Sequence, residues 1–549
     1  MWTRPLQRRL PRLARRAVLA ACCLAGLLSC NALSAEPRPE SKPSGDGTKA
    51  IAERPWATVW AASLARVLAD CDAIYDSAER PELADSLEDR LGDYQAFGGI
   101  DRKRPLGLMW TWHDVEPAAT IFLPVGKIDD LMKTATFNVV GFHKVTDDRY
   151  EIERPGSPYH VLLRSGYALF GEEVAAMQAL RVTPDQLTKP LRDKYDVVLT
   201  LDLRQVPRVS KELWVDELKN QLEPWLQPQD GEPVETATLR RAIGSALLGL
   251  AKRLVLDVRT ITLGGRLDPE QHQLSIELIV QSEPGSELAA GLKHLVSRRS
   301  EFSALINPQV AAGLAINWPL QSLGKEILGQ LVDEPLLGTR IDAGIQIVGQ
   351  GWGQTAVIAG LHGREASALN AAIPRLIVRL EKSGQFTSVT DNADIYRGVV
   401  IHSVVPRELP QLLGQLTGPE VEVLIGQGKQ TIWLAAGNPE TLPARLQQAI
   451  DSVEDAPAAE RANSLVNGRF TVGKWPTLGT PSDPGPVKNA TTKNVEEPGK
   501  TAEEPGDAFR LTMEPKGDAL KIRLVAEKGI LKLIGRDWAR QVDEINAAK

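Results

Sequence analysis

The densest grouping of side chains able to do chemistry is Trp110-Thr111-Trp112-His113-Asp114-Val115-Glu116. A histidine beside two acids could act as a general base oriented by a carboxylate, with the tryptophans as a platform for a sugar or another ring. The same run also reads as a polar hairpin turn after a strand whose tryptophans pack on a sheet, and the flanking alternation favours the turn. His113, Asp114 and Glu116 are the catalytic candidates that the sequence offers. The remaining histidines, His143, His160, His272, His294, His362 and His402, include no pair at helix-turn spacing and no HExxH pattern. A metal centre would have to be assembled from distant segments, so neither metal nor cofactor is expected. Gly349-Gln350-Gly351-Trp352-Gly353 lies between two alternating stretches, not between a strand and a helix, and reads as a hairpin turn instead of a phosphate loop. GxSxG is absent, since Gly156-Ser157 and Gly244-Ser245 lack the second glycine.

The N-terminus reads as an address. Six arginines, an apolar stretch from Ala17 to Leu28 and then small and polar residues follow the order of a secretory signal, and the apolar part is too short to span a bilayer. Leu27-Leu28-Ser29-Cys30 resembles a lipobox, which would make Cys30 the lipidated first residue; Leu33-Ser34-Ala35 offers a signal-peptidase site instead. Arg15-Arg16 before Ala17-Val18-Leu19 also resembles a twin-arginine signal. With Cys22, Cys23 and Cys30 in the leader, Cys71 stands alone in the body and no internal disulfide can form. It shares the apolar face of a helix with Leu64, Val67, Leu68, Ile74 and Tyr75, as a small buried hydrophobe does.

The 549 residues are 43% hydrophobic and 24% charged, which supplies real cores and excludes wholesale disorder. Without the leader, 58 basic side chains face 70 acidic ones, a balance that repels a phosphate backbone and excludes nucleic acid as the expected partner.

Periodicity then gives the elements that must position any site. Leu106 to Trp112 and Ala118 to Pro124 alternate as strands around the polar run; helical spacing covers Ala61 to Ala78, Glu82 to Tyr94, Val209 to Leu226 and Leu239 to Leu254. Thr260 to Leu267 and Leu274 to Gln281 form a hairpin around Asp268-Pro269-Glu270. The order of elements then recurs, and Tyr167-Ala168-Leu169-Phe170-Gly171 resembles Ile432-Trp433-Leu434-Ala435-Ala436-Gly437. The expected fold class is therefore α+β, two copies of an antiparallel sheet unit with helices packed on one face. The expected organisation is a signal peptide over 1–35 and a disordered tether over 36–54, then a first unit over 55–300. A second unit covers 301–475 plus 508–549, interrupted by a disordered Pro/Gly-rich insertion over 476–507.

The leader, Trp60-Ala61-Ala62-Ser63-Leu64-Ala65-Arg66-Val67-Leu68-Ala69-Asp70, the run Gly99-Ile100-Asp101-Arg102-Lys103-Arg104-Pro105-Leu106-Gly107, and Phe122-Leu123-Pro124-Val125 resemble a group of uncharacterised exported proteins of planctomycete bacteria. The resemblance is strongest over residues 55–180. It implies an envelope location and the duplicated α+β unit, and it brings no activity or site residues with it.

Export and the missing catalytic motifs point to a non-catalytic protein of the periplasm or cell envelope. Its expected role is that of an interaction or structural module, membrane-tethered if Cys30 is lipidated and without a transmembrane helix in the mature chain. The alternative is a carrier for an apolar ligand, lipid or peptide, held between sheet and helices, and a third reading is a hydrolase with an unrecognised site.

Overall fold

The structure is a computed structural model. It describes residues 54–547 apart from 84–97, 114–115, 134–141, 153–158, 228–231, 233, 296–299, 320–339, 350–354, 364–372, 376, 379–380, 383–385, 408–416, 419, 458–463 and 473–505. The leader with Cys30, nearly all of the expected tether, the helix expected after Glu82, Asp114 and the Pro/Gly-rich insertion lie almost wholly outside the described residues.

Among the described residues twenty strands run along the chain. The first ten are β1 (Ala57–Ala61), β2 (Leu106–His113), β3 (Glu116–Pro124), β4 (Phe142–Lys144), β5 (Arg149–Ile152), β6 (Tyr159–Arg164), β7 (Tyr167–Gly171), β8 (Val197–Asp202), β9 (Val258–Asp268) and β10 (Gln273–Ser282). The second ten are β11 (Ala312–Pro319), β12 (Arg340–Val348), β13 (Ala356–His362), β14 (Phe386–Tyr396), β15 (Val399–Pro406), β16 (Glu422–Gln427), β17 (Thr431–Gly437), β18 (Val466–Thr471), β19 (Ala508–Lys516) and β20 (Ala519–Ala526). Every pairing is antiparallel. Outward from β10 the neighbours are β9, β8, β1, β2, β3, β7, β6, β5 and β4. Outward from β20 they are β19, β18, β11, β12, β13, β17, β16, β15 and β14, the same order with ten added to each number.

The expected fold class is corrected at the joint. β10 and β20 pair over eight residues, from Leu274 opposite Ala526 to Gln281 opposite Ala519, so the chain forms one 20-stranded antiparallel sheet and not two sheet units. The physical reason is that each ten-strand set ends in a hairpin whose outer strand carries a free row of N–H and C=O groups, and each row satisfies the other.

The helices correct the second half of that expectation. They are α1 (Leu64–Ser77), α2 (Ile128–Met132), α3 (Val174–Ala179), α4 (Pro184–Arg192), α5 (Arg208–Leu226), α6 (Val234–Leu256), α7 (Glu287–His294), α8 (Leu442–Glu454) and α9 (Lys528–Ala547). Alternate residues of a strand face opposite sides. In β7, Leu169 packs with Met177 of α3 and with Leu187 and Leu191 of α4, while its neighbours Ala168 and Phe170 pack with Leu131 of α2. In β16 and β17, Leu424 and Trp433 pack against Leu442, Leu446 and Ile450 of α8, while Ile425 and Ile432 pack with Ile373 and Ile377. Apolar segments therefore cover both faces near each end of the sheet.

Local chemistry explains the element boundaries. The Ser63 hydroxyl accepts from the Arg66 N–H at 3.1 Å to start α1. Thr183 and Gln186 form a reciprocal capping box, with Pro184 in the first turn of α4. Ser165 and Gly166, both with positive φ, make the tight turn joining β6 and β7.

Candidate functional site

Five adjacent strands, β12, β11, β18, β19 and β20, carry an apolar groove of about 300 Å3. Its floor follows from register. Ile345, Leu314, Gly468, Leu511 and Leu524 lie side by side across the strands, and Ile347, Ala312, Phe470 and Phe509 form the next row. At roughly 4.8 Å between strands, the floor is about 19 Å across. Ile345 is 39% exposed, and the other side chains of the floor are half-buried, so the surface is open to an occupant and not sealed as core. The volume is at the lower end of the ~300–1,000 Å3 range of small-molecule sites.

The intervening residues of the same strands are polar. Arg510 and Thr512 of β19 and Lys521 and Arg523 of β20 alternate with the groove residues and so belong to the opposite face. Among the described residues, the one charged residue bordering the groove, Arg469, is held 3.5 Å from the buried carboxylate of Glu527, which also pairs with Arg510. On that polar face Glu277 of β10 is only 6% exposed. It accepts from Lys194 and Tyr195, each at 2.6 Å, and is paired with Lys521 at 2.8 Å. Burial alone would raise its pKa, but the hydrogen bonds from Lys194, Lys521 and Tyr195 override it and hold the carboxylate down to about 2. Tyr195 is pushed up by burial and by its bond to Glu277. Every oxygen of this carboxylate is engaged, which makes the cluster a structural tie and not an acid or base free to act on a substrate.

His113 and Glu116 form the last register pair of β2 and β3, so strand structure extends two residues further into the polar run than alternation suggested. Asp114 lies outside the described residues, so the three candidates are not brought together as a described cluster. Trp112 packs on Trp56 with centroids 6.1 Å apart, and Trp56 packs on Trp214 of α5 at 5.9 Å. Trp112 is thus engaged by a neighbouring ring, which leaves less of its surface for a ring ligand. Cys71 is a free thiol, partly buried on α1, and its pKa is raised by burial and then by Asp70 and Asp72, opposite to what an activated nucleophile requires. Gly349 leads out of β12, between two strands, and 350–354 lie outside the described residues. Among the described residues no group of three or more His, Cys, Asp or Glu side chains is placed to hold a metal ion, and no helix is long and apolar enough to cross a membrane.

The groove escaped sequence reading although its signal was present. Phe509, Leu511 and Met513 alternate with Arg510, Thr512 and Glu514, and Leu520, Ile522 and Leu524 with Lys521 and Arg523. That pattern specifies one polar and one apolar face, but which helix, if any, covers the apolar one is set by long-range packing. Comparison with protein-family models, with curated proteins and with solved structures finds no match.

Proposed function

We propose that this protein is an exported, non-catalytic binding protein of the cell envelope that holds a linear hydrocarbon chain in the groove across β12, β11, β18, β19 and β20. The observation that carries the reading is the chemistry of the floor: two rows of aliphatic and aromatic side chains on strands whose backbone groups are paired on both sides. A peptide adds to a sheet through an unpaired edge, and the groove has none. An extended peptide laid flat on it would leave its own N–H and C=O groups without partners, at a cost of about 1–3 kcal/mol for each. A hydrocarbon has no such groups and gains about 0.8 kcal/mol for each CH2 buried. Of the two extended chains, an acyl chain is the occupant that fits.

The test is a titration of the full chain with cis-parinaric acid, a linear fluorescent fatty acid. Saturable enhancement is expected, and Leu511→Asp or Leu524→Asp should abolish it while the melting temperature stays within a few degrees of the parent. No saturable signal, or an unchanged signal in both folded variants, would overturn the reading.

A second reading, a protein-interaction module, is favoured by α5, where Val209 and Leu213, one turn apart, are 68% and 62% exposed. The two separate cleanly: Leu213→Glu would leave acyl-chain binding unchanged and impair a partner contact.

A further inference from the structure

The repeated pairing order allows each strand of the groove to be matched with a counterpart in the other half of the sheet. β11, β18, β19 and β20 correspond to β1, β8, β9 and β10. In the groove the cross-strand row is Leu314, Gly468, Leu511, Leu524. Its counterpart row is Val59, Leu199, Leu263, Leu278. The alignment is fixed independently at the ends of β1 and β11: Trp56 accepts from the Asp202 N–H and donates to the Trp110 carbonyl, as Ala311 accepts from the Thr471 N–H and donates to the Ile347 carbonyl. Three of the four positions carry an aliphatic side chain in both rows. The fourth is a leucine in one and a glycine in the other.

We infer that Gly468 is the residue that gives the groove its capacity, and that Leu199 fills the matching place in the other half, so that the protein takes one hydrocarbon chain and not two. The inference rests on the hydrocarbon reading above and names what within that site selects the ligand. A Cβ placed on Gly468 would stand 3.2 Å from Leu314 Cδ1 and 3.7 Å from Leu511 Cβ, inside the row that makes the floor. A four-carbon side chain there would extend from between those two leucines into the space that an acyl chain needs. Glycine is otherwise a poor choice for the interior of a strand, because it packs nothing and loses more chain entropy than any other residue. Its use in the middle of a strand at this position is explained by the room it leaves.

The experiment is a stoichiometric titration of cis-parinaric acid into the full chain, the Gly468→Leu, Gly468→Ala and Leu199→Gly variants, and Leu511→Asp. The parent is expected to bind one equivalent. Gly468→Leu is expected to weaken binding by about tenfold or more, the loss of roughly two buried CH2 contacts. Gly468→Ala should show a smaller loss in the same direction, and it carries the test if the leucine variant fails to fold. Leu199→Gly should raise the capacity towards two equivalents. If both Gly468 variants bind like the parent while Leu511→Asp does not bind, the role of the glycine is overturned and the groove stands. If the parent itself does not bind, the hydrocarbon reading falls.

Discussion

Glu277 of β10 and Arg523 of β20 stand opposite each other in register, with Arg523 Nε 3.8 Å from Glu277 Oε1, at the point about which the strand order reads the same in both directions. Ile276 pairs with Leu524 and Leu278 with Ile522 on either side, so the two ten-strand sets meet through an acid on one and a base on the other. A pairing that could otherwise slip along two similar strands is tied down by a buried carboxylate that finds its partners in one register only.

Replacing Glu277 with Gln should test that tie. With its carboxylate held at about 2 in the fold against an ordinary value of ~4.3, the group contributes stability that is fully present above the unfolded value and is lost as pH falls through the folded one. Urea denaturation at pH 7 should show Glu277→Gln destabilised by about 2–3 kcal/mol, within the range for breaking a buried ion pair and reduced because Lys194 and Arg523 remain half exposed. Between pH 4.5 and 2 the parent should lose stability more steeply than the variant, and the difference should shrink towards zero.

Asp70 of α1 works in the opposite sense. Burial first, and then the charge of Asp196, raises its pKa to about 7 against the opposing pull of Arg66. Asp196 cannot move away, because it is held by Arg66 at 3.2 Å and by the Leu267 N–H at 2.8 Å. A carboxyl whose folded pKa is raised costs stability progressively as pH rises from ~4 to 7. Asp70→Asn should therefore stabilise the protein at pH 8 by about 1–2 kcal/mol, well short of the ~4 that three pKa units would give without solvent screening. The gain should vanish below pH 4; a constant gain at all pH values would show that titration is not its cause.

Much of the strand content was legible because alternation is local. The hairpins β9–β10 and β19–β20 follow the alternating runs to within a few residues, and Tyr167-Ala168-Leu169-Phe170 and Ile432-Trp433-Leu434-Ala435 prove to be β7 and β17, which hold the same place in the pairing order. β1 was hidden, since Ala57 to Ala61 abuts a strong helical pattern and is only five residues long. β14 runs from Phe386 to Tyr396 and turns at Arg397-Gly398, both with positive φ. The joint between β10 and β20 was not legible at all: 236 residues separate Ser282 from Asp518, and no local pattern records that two distant edges complete one another. The groove was half legible: its apolar alternation was visible, whereas the long-range packing that leaves it without a covering helix among the described residues was not.

Phe302 shows how strictly this sheet dictates small residues. Its ring lies edge-on to Trp433 at 5.6 Å and presses on the sheet where two adjacent strands present Gly344 and Gly360. The three nearest atoms to a Cβ on Gly360 would all belong to that ring, too close to be accommodated without a shift. Gly360→Ala should cost about 1–3 kcal/mol through overpacking, and Phe302→Ala about 3–5 kcal/mol through the cavity it leaves. In the double variant the added methyl enters space the ring has vacated, so the two costs should fall short of their sum by at least ~1 kcal/mol. Additive costs in a double-mutant cycle measured by urea denaturation would show that the ring does not impose the glycine.

His113→Ala addresses the one catalytic grouping that the sequence offered. His113 ends β2 in register with Glu116, in the half of the sheet that does not contribute to the groove, and the adjacent Trp112 is engaged with Trp56. If the acyl chain is held by β12, β11, β18, β19 and β20, removing the imidazole should leave the affinity for cis-parinaric acid within about twofold of the parent, less than 0.5 kcal/mol. Stability should change little as well, because a residue at the end of a ladder loses few contacts on truncation. Loss of binding in Gly468→Leu together with retention in His113→Ala would place the ligand on the apolar face of the second ten-strand set. The reverse pattern, at unchanged melting temperature, would move the site to the β2–β3 hairpin and restore a chemical role to His113.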